Sequence, residues 1–189
     1  MGAPAAPEAP EAPDAPVAPE APVAPVVPTD DSLSLDIETC HVWGVDFARV
    51  DMQQTLDLAE RVIQRGRPEY FVTANLNYLM LTEQHPRLAE VNARSVAVVA
   101  DGHPIVRRSR STSKPLPCRV AGADLIVELA RMSADKGYRV FFLGAAPGVA
   151  EAAAAELCSM FPALPVAGCY SPPFRQLTAS EHSELLSMV

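Results

Sequence analysis

Residues 96–110 read VAVVADGHPIVRRSR: an apolar run stops at Asp101 and Gly102, and arginines follow at once. A carboxylate at the mouth of a buried strand can act as a general base. It can equally cap the helix that follows, with Gly102 easing the turn. Thr73 and Asn75, in VTAN, place short donors and acceptors where they could hold a sugar or orient a nucleophile, or again cap a helix. LGAAPGVAE (143–151) is a small-residue loop leading into a helix, and free N–H groups at a helix start favour phosphate. It matches neither GxGxxG nor a Walker sequence, so a plain tight turn explains it as well. Arg107, Arg108, Arg110, Lys114 and Arg119 crowd one stretch, and basic groups near a strand-end carboxylate suit a pyrophosphate. A solvated basic helix and loop accounts for most of them. Arg119 is the exception: in PLPCRVAGADL, between proline turns and Gly122, a long side chain can reach back over the strands. Cys40, Cys118, Cys158 and Cys169 form no CxxC, and His41, His85, His103 and His182 are isolated, so neither a metal site nor a cofactor is expected.

The elements that must position these residues alternate in type. HVWGVDF (41–47), YFVTAN (70–75), SVAVVA (95–100), RVFFLG (139–144) and LPVAGCY (164–170) read as strands. The stretch 52–66 carries Leu56, Leu58, Ala59, Val62 and Ile63 as a helical stripe, with Gly66 as C-cap. YLMLTEQ (78–84) reads as helical, and Pro86 opens another short helix. Residues 123–137 predict a helix with Leu125, Ile126, Leu129 and Met132 inward, and 147–161 a helix rich in alanine. Strands alternating with helices predict βαβ units. The expected fold is therefore α/β and Rossmann-like, a mostly parallel sheet with helices on both faces. Ligands bind at the carboxyl ends of such strands, where Thr73, Asn75, Asp101 and Gly144 all fall.

Ahead of this domain a proline recurs at every third position from Pro4 to Pro28. Three residues per turn is the polyproline II repeat, so residues 1–31 are expected to be an extended, disordered Pro/Ala-rich acidic tail. Its six acids, unaccompanied by Lys or Arg, account for −6 of the formal −8, and the rest of the chain carries −2. The low isoelectric point therefore says nothing about what the domain binds. No apolar run approaches the roughly 18–20 residues of a membrane span. The scattered cysteines fit a reducing cytoplasm.

VTANLNYLMLTEQHPRL, VVADGHPIVRRSR, PLPCRVAGADL and VFFLGAAPGVAEAAAAEL follow one another in order. Together they resemble the WecG/TagA/CpsF glycosyltransferases of bacteria, which show a Thr-x-Asn segment, an Asp-Gly after a strand, an Arg-x-x-Gly-x-Asp-Leu helix start and a Leu-Gly-Gly-like loop. The resemblance covers about residues 41–187. It implies transfer of a hexose, N-acetylmannosamine or a related sugar, from a UDP-sugar to a polyprenyl-diphosphate-linked acceptor, with inversion, in cell-surface polysaccharide synthesis. Asp101 maps to the base, Thr73 to a catalytic position and Asn75 to a substrate-binding one. Gly102, Arg119, Gly122, Asp124, Gly144 and Gly148 map to the remaining binding positions. No nucleic-acid partner is implied; a homo-oligomer is compatible with the resemblance. LGAAPG departs from the commoner Gly-Gly. The family also continues past the end of this sequence, so the domain, taken as 38–189, is expected to be incomplete at its C-terminal side, where the membrane contact would lie. Two other readings are a nucleotide-sugar-binding remnant tethered to a partner by its tail, and an oxidoreductase, which the missing GxGxxG argues against.

Overall fold

The first element built from these residues is a hairpin rather than the single strand expected over 41–47. Cys40, Val42, Val45 and Phe47 are buried while His41 and Asp46 are exposed. Alternation of this kind fits strands with one covered face, but it breaks at Trp43–Gly44. Both residues have positive φ (47° and 78°). That makes a two-residue turn with the twist that antiparallel strands need, and glycine takes the second site without strain. Strands β1 (Thr39–Val42) and β2 (Val45–Ala48) pair antiparallel across it. The structure, a computed structural model, describes residues 36–188. The tail expected over 1–31 lies outside them.

Helix α1 (Met52–Arg65) starts from a capping box: Gln54 N–H donates to Asp51 Oδ1 at 2.8 Å, and Asp51 N–H donates to Gln54 Oε1 at 3.0 Å. Leu56, Leu58 and Ala59 are buried as expected. Ile63 is exposed, and the face turns instead toward Thr55, whose hydroxyl donates to Asp51 O within the helix and so needs no water. Then come β3 (Val72–Ala74), α2 (Leu76–Gln84), α3 (Pro86–Arg94), β4 (Val98–Ala100) and α4 (His103–Ser109). The second half holds α5 (Gly122–Lys136), β5 (Val140–Leu143), α6 (Val149–Met160), β6 (Val166–Tyr170) and α7 (Ala179–Met188).

Strands β3 and β4 pair in parallel, with Thr73 opposite Val99 and Ala74 opposite Ala100. Successive residues of β4 enter different cores. Val98 and Ala100 pack with the hairpin, Leu79 of α2 and Ile105 of α4. Ala97 and Val99 pack with Leu56 and Leu58 of α1 and with Leu125 and Met132 of α5. This is why the 96–100 run is apolar at every position: both faces of the strand are covered. Strands β5 and β6 form a second parallel pair, and α6 covers it through Leu157. The hydrogen-bonded ladders among the described residues are thus three pairs, two of them parallel. Helices lie on both faces of β3–β4, so the arrangement is α/β and Rossmann-like.

Helix α5 reaches two cores at once. Leu125 and Met132 face α1, while Ala130, Val127 and Ala134 face the α6 side. Ile126, expected inward, falls outside both arcs and is exposed. Helix α7 has no apolar stripe to announce it and no buried residue. Its start is written in TASE: Glu181 N–H donates to Thr178 Oγ1 at 3.3 Å and Thr178 N–H to Glu181 Oε2 at 2.8 Å.

Candidate active site

Thr73 and Val99 lie level on neighbouring parallel strands, and Asp101 follows Val99 by two residues. Side chains two apart share a face, so Thr73 and Asp101 both project toward the side on which α5 packs. The β3–β4 pairing continues past the strands: Asp101 N–H donates to Ala74 O at 2.9 Å. The segment leading into α5 runs beside the end of β4, with Val120 N–H donating to Ala100 O at 2.9 Å. It delivers the first turn of α5 to the same spot.

There Gly122 N–H donates to Asp101 Oδ2 at 3.1 Å. Asp101 therefore does not cap the helix that follows it. Helix α4 begins at Gly102 without a side-chain cap, and Asp101 instead serves a helix twenty-one residues on. Gly102 has φ 175°, extended backbone open to any residue, so it does not ease a strained turn. Gly122 matters for space. A Cβ there would stand 3.0 Å from Thr73 Oγ1 and 3.5 Å from Asp101 Oδ2. The missing side chain spares the Thr73 hydroxyl a shift of a few tenths of an ångström, while the carboxylate stands at ordinary contact distance.

Among the described residues, neither the Thr73 hydroxyl nor Asp101 Oδ1 has a protein partner. One carboxylate oxygen is fixed and the other is free, in a half-buried setting. A group so held can take a proton from an incoming hydroxyl with little reorientation.

The other predicted residues divide. Asn75 caps α2, its Oδ1 accepting from Tyr78 N–H at 2.9 Å. Asn75 is exposed, and its side-chain amide nitrogen has no hydrogen-bond partner among the described residues. Arg119 and Asp124 are both exposed and face each other at 3.5 Å. Arg119 thus turns to the first turn of α5 rather than lying across the strands. Gly144 and Gly148 belong to the β5–α6 loop, which is tied to β6 and not to Asp101. Gly144 N–H donates to Tyr170 O at 2.9 Å, and Ser171 Oγ donates to Gly144 O at 3.0 Å. The loop is left-handed at Gly144, Ala145 and Gly148 (φ 119°, 63° and 84°). Ala145 is where LGAAPG departs from Gly-Gly, and it sits in backbone that glycine would adopt freely.

Sequence reasoning passed over Ser171 as well, since a lone serine after a strand carries no local signal. Two further cavities lie away from the Asp101 cluster. One of about 350 Å³ is bordered by Thr39, Asp46, Thr82 and Asn92. The other, of about 670 Å³, opens between Trp43 and α4.

The chain is 32% identical over 106 residues to an N-acetylglucosaminyldiphosphoundecaprenol N-acetyl-beta-D-mannosaminyltransferase of Bacillus spizizenii, covering 56% of this chain and 41% of that protein. It is 29% identical over 123 residues to the enzyme of the same name from Staphylococcus aureus, covering 64% of this chain and 48% of that one. The chain thus spans less than half the length of these curated relatives. The model of the WecG/TagA/CpsF glycosyl transferase family matches residues 40–189, which include every strand end discussed above, and the chain belongs to that family.

Proposed function

We propose that this domain transfers an N-acetylmannosaminyl or related hexosyl group from a UDP-sugar to a hydroxyl of a polyprenyl-diphosphate-linked sugar. The observation that carries the reading is the meeting of Thr73, Asp101 and Gly122 at the carboxyl ends of β3 and β4. Both relatives are named for a β-mannosaminyl transfer to a diphosphoundecaprenol-linked sugar. An α-linked UDP donor and a β-linked product require one displacement with inversion.

The steps follow from the groups at hand. The acceptor hydroxyl approaches Asp101 Oδ1, the oxygen not engaged by Gly122. As its oxygen attacks the anomeric carbon, the bond to the UDP oxygen breaks and the hydroxyl proton passes to Asp101. Gly122 N–H keeps the carboxylate from rotating. The Thr73 hydroxyl and the Asn75 amide position sugar hydroxyls beside it. Negative charge grows on the leaving diphosphate, and Arg119 exchanges its loose contact with Asp124 for that charge. Gly144 and Gly148 carry the loop that borders the donor. The enzyme works on the cytoplasmic side of the membrane, where nucleotide sugars are made.

The test is incubation of the protein with UDP-N-acetylmannosamine and a short-chain polyprenyl-diphosphate N-acetylglucosamine. Mass spectrometry should show one added hexosamine, and NMR a β-linkage. Donor binding without product, in a chain carrying every segment of the family, would leave a nucleotide-sugar-binding protein in place of an enzyme.

A further inference from the structure

The cavity of about 670 Å³ between the hairpin tip and α4 is not explained by sugar transfer at Asp101. Trp43, Pro104 and Val106 supply its apolar wall, and Arg107, Arg108 and Arg110 its charge. Trp43 stands at the turn of the hairpin and is 45% exposed, although its ring is the largest apolar group in that hairpin. Arg108 donates to Ser111 Oγ; Arg107 and Arg110 have no side-chain partner among the described residues. Among the described residues, no acid lines the cavity. Glu38 is taken by Arg49 and Lys114, and Asp46 by His41. Residues 32–189 carry a net −2 with these three arginines included, so two arginines in the last turn of α4 and a third at its C-cap are a local concentration of positive charge.

We infer that this Trp43–α4 face docks the protein on an anionic phospholipid bilayer, with Trp43 entering the headgroup layer and the three arginines pairing with lipid phosphates. Tryptophan prefers that layer because its ring is apolar and its N–H polar. Arginines at an anionic surface each strengthen binding by about fivefold. A nucleic acid is the weaker fit, because three cations on about 10 Å of helix make no phosphate-tracking groove. The geometry also suits a lipid-linked acceptor, and to that extent the inference rests on the proposed function. Helix α4 starts two residues after Asp101, and at 1.5 Å per residue Arg107 lies about 9 Å along the chain from it. A bilayer touching the arginines therefore lies close to the β4–α4 junction.

The experiment is flotation of the full chain with vesicles of phosphatidylcholine, with and without about 30% phosphatidylglycerol. The vesicles hold no polyprenyl acceptor, so the result does not depend on whether the protein transfers sugar, and Asp101→Asn should float like the wild type. Wild type should bind the anionic vesicles and release from them as salt rises to about 0.5 M. The triple variant Arg107→Gln, Arg108→Gln, Arg110→Gln should lose on the order of a hundredfold in affinity while its circular dichroism is unchanged. Trp43→Asn, which keeps a residue tolerant of positive φ, should weaken binding on its own. Equal binding to neutral vesicles, no binding by the wild type, or full binding by the triple variant would each overturn the inference. So would tighter binding to RNA than to the vesicles. Displacement by low concentrations of inorganic diphosphate would also overturn it, by identifying a discrete diphosphate subsite in place of a surface.

Discussion

Asp101 is bound on one oxygen and free on the other, so two substitutions separate what each oxygen does. Asp101→Asn keeps a carbonyl oxygen that can accept from Gly122 N–H at the 3.1 Å position, but replaces a charge-assisted bond by a neutral one. Charged hydrogen bonds contribute about 1.5–3 kcal/mol and neutral ones about 0.5–1.5. The loss of a carboxylate at the start of α5 adds some tenths. The expected cost is about 1 kcal/mol, or roughly 2–4 °C in the thermal midpoint for a chain of this size. Asp101→Ala removes the acceptor altogether and leaves a helix N–H unpaired in a half-buried place. Its cost should be about 2–3 kcal/mol. Turnover should rank differently. Asn cannot take a proton, so both variants should fall by roughly 10²–10⁴-fold, while donor affinity stays near wild type. The assay is calorimetric unfolding beside product formation and UDP-sugar titration for all three proteins. If Asp101→Asn turns over within threefold of wild type, Asp101 is not the base. If Asp101→Ala unfolds at the wild-type temperature, the bond to Gly122 contributes nothing and the reasoning about α5 fails.

Gly122→Ala places a methyl 3.0 Å from Thr73 Oγ1, so the hydroxyl must give way by a few tenths of an ångström; folding should be nearly unaffected and turnover down by about tenfold, as checked by parallel melting and rate measurements. Ala145→Gly relieves left-handed backbone at φ 63° and should stabilise the protein by about 0.5–1 kcal/mol in denaturant titration, after the unfolded chain's gain in freedom is subtracted. Glu181 is held down to about 2 by Arg175 first and then by the Thr178 backbone and hydroxyl. Because its folded value is depressed, its contribution is complete above the ordinary carboxyl value of 4.5 and disappears as pH falls through about 2. Amide exchange in α7 should accelerate over that window, whereas Glu181→Gln should show fast exchange already at neutral pH. Without an Asp-x-Asp pair or a His/Cys cluster in the sequence, transfer should persist in excess chelator, measured by product formation.

The Rossmann-like order was legible because burial leaves a plain mark. A strand covered on both faces, as β4 is, must be apolar at every position, and the 96–100 run is. The same rule misread 41–47, where an apolar stretch with a Trp–Gly pair at its middle is a hairpin. The turn depends on two positive φ angles that only the glycine hints at. Ile126 and Ile63 were misplaced for a related reason. A helix wheel shows that one arc is apolar, but the neighbours decide its width, and α5 has cores on two sides.

The cluster at the ends of β3 and β4 was legible as separate residues and not as a set of bonds. Asp101, Thr73 and Gly122 stand in three separate segments, and each has a local explanation as a cap, a strand residue or a helix start. Local propensity cannot rank a 21-residue partnership above a two-residue one, so it pairs Asp101 with α4. Tertiary packing decides otherwise. The start of α5 is carried to the end of β4 by the bond from Val120 to Ala100, and the first free N–H of that helix then lies within reach of the carboxylate. The glycine follows from the same approach, because any side chain at 122 would meet Thr73. What looked like three weak motifs is one arrangement: a helix brought close enough to hold a carboxylate, and a residue small enough to fit beside the Thr73 hydroxyl.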